Sequence, residues 1–456
     1  MKHYQLYRQI MAIMVMIILF TGCKMFMSSS VTGAQELEDR YTGSFIIDDK
    51  IEVTIDADIT IHGNPEAIVK TVQYTFTGDE VKQYAEVLFE NDEIYEVNTP
   101  KTREELLSLI ERDQNWLDSL DQETEPELYE YRKDLYQREI AAFESMLPNA
   151  QETYVPQETD WIFKEDPYLQ AYNDAMGDDS EELNEEIKVF SDIDGKTAFV
   201  DCTTTVKENF ILNWFRFWIE DGYQEEELKE SPEEAENYVR NKLWKLGLGD
   251  KWIITSCKMK YQSDQHNKEK DVSLIRNAGY YYDMELVPQY AGCSVLDQDF
   301  IFYSPDLTSY PYRYDYEKLH IQYSNGRIVN MDYMDPLEVV DTLDLEIPVI
   351  SPQEAITCLQ GQMQDGKYVE GFYNPVYHTY PLSMKVQISN IELGLVRIRT
   401  LQDEAEYMMT PVWNFKGRNT CYYGIETVTS PLYGEEDVIM TISAMDGSVI
   451  KPEDGR

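Results

Sequence analysis

Ser231-Pro232-Glu233-Glu234-Ala235 returns 120 positions later as Ser351-Pro352-Gln353-Glu354-Ala355, and this repetition decides how the chain is read. In each copy the serine oxygen caps a helix, proline takes the first helical position, and the glutamate reaches back to the serine N–H. Further on, Met284-Glu285-Leu286-Val287-Pro288 answers to Tyr407-Met408-Met409-Thr410-Pro411. Ser324-Asn325-Gly326-Arg327-Ile328-Val329 answers to Met445-Asp446-Gly447-Ser448-Val449-Ile450. Pro288 lies 57 residues after its serine and Pro411 lies 60, and the steps from proline to turn glycine are 38 and 36. Each copy therefore predicts a capped helix and three strands, the last two a meander ending in an Asn-Gly or Asp-Gly turn. In the second copy the strands are expected near 385–401, 406–415 and 437–450, and the helix must lay Ala355, Ile356, Leu359 and Met363 on the sheet.

Outward from the repeat, the chain reads as an α+β protein. A strand-helix domain with a helical hairpin covers 41–150, a linker 151–186, a β-hairpin plus the first repeat 187–345, and the second repeat 346–456. From Lys50 to Ile61, apolar residues alternate with mostly polar ones, which is the pattern of a half-buried strand. Thr77-Gly78-Asp79-Glu80 and Thr102-Arg103-Glu104-Glu105 are capping boxes. The first opens a helix carrying Val81, Tyr84, Ala85 and Leu88, expected to pack on the sheet of the 50–61 strand; the second opens a helical hairpin over 101–147. Asp192-Ile193-Asp194-Gly195 invites a calcium reading, but Lys196-Thr197-Ala198 does not continue the ligand pattern, so an Asp-Gly hairpin turn is preferred.

Lys2 and Arg8 precede an apolar run from Ile10 to Phe20, too short to span a bilayer and right for a secretory signal. Residues 1–22 are read as a signal peptide and 23–40 as a flexible polar tether. Gly22-Cys23 at the end of that run resembles a bacterial lipobox, with Phe20 where leucine is usual. The resemblance implies that Cys23 carries the lipid, palmitate included, and holds the chain on the extracytoplasmic face of the cell membrane. The net charge of -46 repels nucleic acid and anionic headgroups, so no nucleic-acid partner is expected. An apolar content of 43% and 34 tyrosines exclude wholesale disorder. Cys202, Cys257, Cys293, Cys358 and Cys421 form no C-x-x-C and read mainly as small apolar residues, with a disulfide between distant positions left open.

Ile391-Glu392-Leu393-Gly394-Leu395, Pro411-Val412-Trp413-Asn414-Phe415 and Ser443-Ala444-Met445-Asp446-Gly447-Ser448-Val449 together resemble PepSY-like modules and the YycI-type extracytoplasmic regulators. The layout is also similar to uncharacterised lipoproteins of Gram-positive gut bacteria grouped under a domain of unknown function. The resemblance covers 231–456 and implies a helix packed on a small antiparallel sheet, acting by contact with a sensor kinase or protease. The YycI-type regulators are tethered by a membrane helix, whereas this chain reads as lipid-tethered.

Transition-metal sites need converging ligands, and His62, His266, His320 and His378 form neither an H-E-x-x-H nor an H-x-H. The chain contains no G-x-S-x-G elbow and no P-loop lysine motif. A non-enzymatic protein without cofactor or metal is therefore expected. The aromatic stretch Phe210 to Trp218 reads as a buried strand, while Tyr310, Tyr312, Tyr314 and Tyr316 alternate as a ribbon that could meet a ligand or partner. The leading expectation is a surface lipoprotein that binds and modulates another extracytoplasmic protein. The alternative is a glycan- or peptide-binding surface lipoprotein, and the third is a carboxylate-dependent hydrolase, since paired acids leave no local signature.

Overall fold

The computed structural model describes residues 39–450 apart from 64, 66, 91–92, 98–100, 121–125, 166–182, 208–209, 221, 224–225, 263–278, 297–316, 345–347, 365–367, 369–371, 373–377, 400–405, 425 and 431–435. In chain order come β1 (Arg40–Ile47), β2 (Ile51–Ile61), β3 (Ala67–Gln73), α1 (Gly78–Phe89), β4 (Tyr95–Glu96), α2 (Arg103–Ser119), α3 (Pro126–Met146), β5 (Lys164–Glu165), β6 (Leu183–Ile193), β7 (Lys196–Lys207) and β8 (Phe210–Ile219). The first repeat supplies α4 (Pro232–Lys245), β9 (Trp252–Gln262), β10 (Gly279–Tyr290), β11 (Cys293–Ser294), β12 (Lys318–Ser324) and β13 (Arg327–Met334), and β14 (Leu337–Asp344) follows. The second supplies α5 (Pro352–Gln364), β15 (Ser383–Arg399), β16 (Glu406–Tyr422), β17 (Thr427–Ser430), β18 (Asp437–Ser443) and β19 (Val449–Ile450). The fold is mixed, mostly strand, with two sheets.

Both repeats have one element order: helix, two long strands, a short strand, then two more strands. The third strand expected from sequence is in each case two strands folded at the glycine turn. Asn325 and Gly326 have φ of 53° and 74° between β12 and β13, and Gly447 has φ of 73° between β18 and β19. That left-handed region favours Asn and Gly, which is why these residues mark the fold-back. The helices keep the repeat's register as well. Ala235, Val239 and Leu243 of α4 and Ala355, Leu359 and Met363 of α5, each pair 120 residues apart, are all at most 1% exposed. Ser231 with Glu234 and Ser351 with Glu354 form the two expected capping boxes.

The chain divides into two units that do not follow chain order: Met1–Thr71, Tyr290–Phe300 and Val339–Arg456 make the first, Val72–Gln289 and Ile301–Glu338 the second. In the first unit, β2 buries Ile51, Val53, Ile55 and Ala57 and exposes Glu52, Thr54, Asp56 and Asp58, as its alternation predicts. It pairs antiparallel with β1 and runs parallel to β15, from which the sheet continues antiparallel through β16, β18 and β19. Helix α5 lies on this sheet with Ala355, Ile356, Leu359 and Met363 buried against β2 and β15. Trp413, 1% exposed, donates its indole N–H to the Ile350 carbonyl at 2.9 Å and so fixes the chain just before α5.

In the second unit, β9, β10, β12, β13, β8, β7, β6 and β4 follow one another in an antiparallel sheet. The Asp194-Gly195 turn joins β6 to β7, with φ of 54° and 79°, and the Asp192 carboxylate accepts from the Gly195 N–H. Helices α1 and α4 cover one face of this sheet with Val81, Ala85, Leu88, Val239 and Leu243. Helix α1 thus packs here rather than on the sheet of β2, because the apolar face of β2 is already filled by α5. The Lys242 side chain of α4, 5% exposed, donates to the Val87 carbonyl at 2.9 Å and pairs with Glu90 just past the end of α1. A cation there meets the carbonyl end of a helix, where it is favoured. The expected helical hairpin is α2 with α3, joined by Leu106, Leu109 and Phe143. Part of the expected linker belongs to the sheet, since β5 pairs with β6.

Candidate interaction face

A strand sends alternate residues to opposite faces, so the residues between the core positions of the second sheet share its other face. The register sets them in rows. Glu285 of β10 stands opposite His320 of β12, His320 opposite Asp332 of β13, and Asp332 opposite Arg216 of β8. Arg216 stands in turn opposite Asp201 of β7, and Asp201 opposite Lys188 of β6. Six neighbouring strands thus contribute one row of ionisable side chains, with charges alternating in sign from Asp332 to Lys188. At about 4.8 Å per strand the row runs roughly 24 Å.

Arg216 is held from two sides. Its Nε lies 3.2 Å from the Asp332 carboxylate, and its guanidinium sits 3.7 Å from the centroid of the Trp214 ring. Such a cation over an indole face contributes about 0.5–1 kcal/mol where solvent reaches it. Trp214 itself is 39% exposed. The next row on this face is aromatic. Trp218 stacks on Phe199 at 5.0 Å and 18°, and Phe190 lies 6.4 Å further on. Tyr154 closes over Phe190 and Phe199, and its hydroxyl donates to Glu105 at 2.7 Å. Burial, and then the Glu105 charge, push the Tyr154 hydroxyl far up.

At the other end of the charged row stands Asp283 of β10, 7% exposed. Its carboxylate lies 2.7 Å from His320 Nε2 and is paired at 2.5 Å with Lys260 of β9. Burial alone would raise this carboxyl, but the hydrogen bonds from His320 and Lys260 reverse that and leave it at about 2. Asp283 is therefore a fixed anion that orients an imidazole and an ammonium.

Of the residues singled out from sequence, Cys23, Tyr310, Tyr312, Tyr314 and Tyr316 lie outside the described residues. The stretch Phe210 to Trp218 is strand β8, as expected, and among its described side chains one face is buried and the other only partly so. Phe215 and Phe217 are fully buried, while Trp214, Arg216 and Trp218 look out from the other face. Sequence reasoning missed the charged row because its members are scattered from 188 to 332 and meet only through register. Cys202, Cys257, Cys293, Cys358 and Cys421 are not joined in disulfides; Cys202, Cys293 and Cys421 are buried. Burial pushes the Cys257 thiol up to about 11 and the Cys293 thiol to about 12. Among the described residues, no group of three or more His, Cys, Asp or Glu is placed to hold a metal ion, and no helix is long and apolar enough to cross a membrane.

No family model and no curated protein matches the chain. Among solved structures it is similar to an uncharacterised protein from Eubacterium rectale ATCC 33656, at 11% identity and a TM-score of 0.40 over 91% of this chain and 96% of that one. It is also similar to the YpeB C-terminal domain of Bacillus megaterium, at 14% identity and a TM-score of 0.25 over 60% of this chain and 84% of that domain.

Proposed function

We propose that this chain is a non-enzymatic cell-surface lipoprotein, anchored through Cys23, that binds another extracytoplasmic protein, a sensor or a protease, and modulates it. The observation that carries the reading is the charged row of the second sheet with exposed Trp214 held against Arg216 in it. Trp and Arg held in fixed positions are among the residue types that dominate protein–protein binding energy. A broad face about 24 Å across suits a contact of about 800 Å² per partner better than a small ligand, which prefers a concavity. Alternating charges fix the register of such a partner and reject one with the wrong sequence of signs. The repeated order of helix and four main strands supports reading both copies as PepSY-like modules that act by contact.

The test is in-cell crosslinking and recovery of the lipidated chain beside Trp214→Ala and Arg216→Ala. An extracytoplasmic protein recovered with the parent chain and lost with both variants supports the reading. Equal recovery with all three would remove the face from it. The alternative, a glycan- or peptide-binding lipoprotein, rests on exposed Trp214. It requires the tryptophan fluorescence to change on titration with cell-wall oligosaccharides, and a flat response rejects it for the glycan.

A further inference from the structure

Strand β14 differs from the other strands of the first sheet. It pairs with β3 alone, so among the described residues its outer edge faces no strand. It is also open on both faces. Val339 is 46% exposed, Val340 49% and Leu343 47%, and adjacent strand residues point to opposite sides. Edge strand β1 is different, since one face of it, with Tyr41 and Phe45, packs on the core. Proteins usually blunt such an edge with proline, a bulge or a cover, because exposed backbone groups and apolar side chains together invite another strand. On β14 the only such device is charge. Asp341 and Asp344 flank Leu343 on an exposed stretch, and the Asp341 carboxylate accepts from the Thr342 N–H at 2.9 Å. The amide is thus held by a side chain of its own strand, a local bond that competes weakly with a strand ladder.

Two acids at the edge of a chain of net charge -46 select the occupant. A second copy would set Asp341 and Asp344 against like charges, which is unfavourable across a strand pair. A segment with lysine or arginine between apolar residues meets both features at once. We propose that the outer edge of β14 takes an extended, cationic segment of a partner polypeptide as an added strand. Its apolar side chains lie against Val339, Val340 and Leu343, and its cations beside Asp341 and Asp344. The backbone ladder supplies affinity, and the alternate side chains supply selection. This surface is separate from the charged row of the second sheet and stands or falls independently of it.

The probe is an eight-residue peptide with valines and lysines in alternating pairs, so that each face of the added strand carries both, titrated into the full chain by fluorescence anisotropy. A control peptide keeps the same side chains but carries N-methyl groups on alternate amides, which blocks one strand edge. The expected result is saturable binding, at least tenfold weaker for the N-methylated peptide and at least tenfold weaker for the Asp341→Lys, Asp344→Lys chain. Hydrogen exchange of residues 339–344 should slow in the complex. Equal binding of the two peptides would reduce the contact to charge and overturn the proposal, as would protection confined to another segment or no saturable binding. Slower exchange at 339–344 with rising protein concentration, without peptide, would assign the edge to a second copy and overturn it as well. The N-methyl comparison uses unaltered protein and does not depend on the folding of a variant.

Discussion

The two repeats place the same helix on the same kind of sheet, yet their sheets grow from different strands. In the first unit β2 joins the repeat at its first strand, β15, in parallel, and β3, with β14 beyond it, pairs with its second, β16. In the second unit the addition is β8, which joins at the last strand, β13, and brings β7 and β6 with it. The helix-covered faces are consequently alike, and the opposite faces are not. Behind the second sheet lie the charged and aromatic rows. Behind the first lie an apolar group of Leu296, Val396 and Val412 and the Glu392–Lys416 pair at 2.8 Å. The repeat fixes the core; what is added to its edge sets the outward chemistry.

The sharpest way to break this comparison is at matched core positions. Leu243→Ala in α4 and Met363→Ala in α5 each remove a side chain at most 1% exposed, from positions equivalent in the two copies. Each should lose about 2–5 kcal/mol of stability, as large-to-small changes in packed cores do. Urea unfolding of both variants measures this. A loss in one and none in the other would show that the helices do not hold equivalent places.

What was legible follows the same division. Caps, helix faces and glycine turns depend on residues a few positions apart, so Ser231 with Glu234 or Asn325 with Gly326 could be read directly. The inward face of β2 was legible from its alternation, but its partner β15 was not, because over 300 residues separate them and parallel pairing leaves no turn between. The charged row was hidden for the same reason. Arg216 and Asp332 lie 116 residues apart and become neighbours only once β8 and β13 are in register.

Next in size is an acid-limb effect confined to the second unit. The Asp283 carboxyl falls from 3.8 to about 2 on folding, so the stabilisation it brings is fully present above about pH 4 and is lost as pH falls through about 2. That corresponds to about 2 kcal/mol. Asp283→Asn should flatten the fall of the urea midpoint between pH 4 and pH 2 by that amount. An unchanged acid limb would show that the His320 and Lys260 contacts do not persist in solution.

The helix caps test likeness rather than difference. Ser231→Ala and Ser351→Ala each remove the oxygen that accepts from the N–H three residues on, at 3.2 and 3.3 Å. Both should cost about 1 kcal/mol by chemical denaturation. Unequal losses beyond about 1 kcal/mol would mean that one of the two boxes is not formed.

The smallest expected effect on stability separates a binding surface from a structural one. A double-mutant cycle on Arg216 and Asp332 should give a coupling below about 1 kcal/mol, because both side chains keep some contact with water. Raising the ionic strength should shrink it further. The same cycle on Lys416 and Glu392, which are similarly sheltered at 22% and 14% exposure, supplies the reference from the first unit. If the charged row existed to hold the second sheet together, its coupling would exceed that reference, since each charge has neighbours on both sides. A small and similar coupling, beside loss of a crosslinked partner on Arg216→Ala, places the value of the row in recognition. The sheet would then keep its fold without the ladder while the partner loses its register.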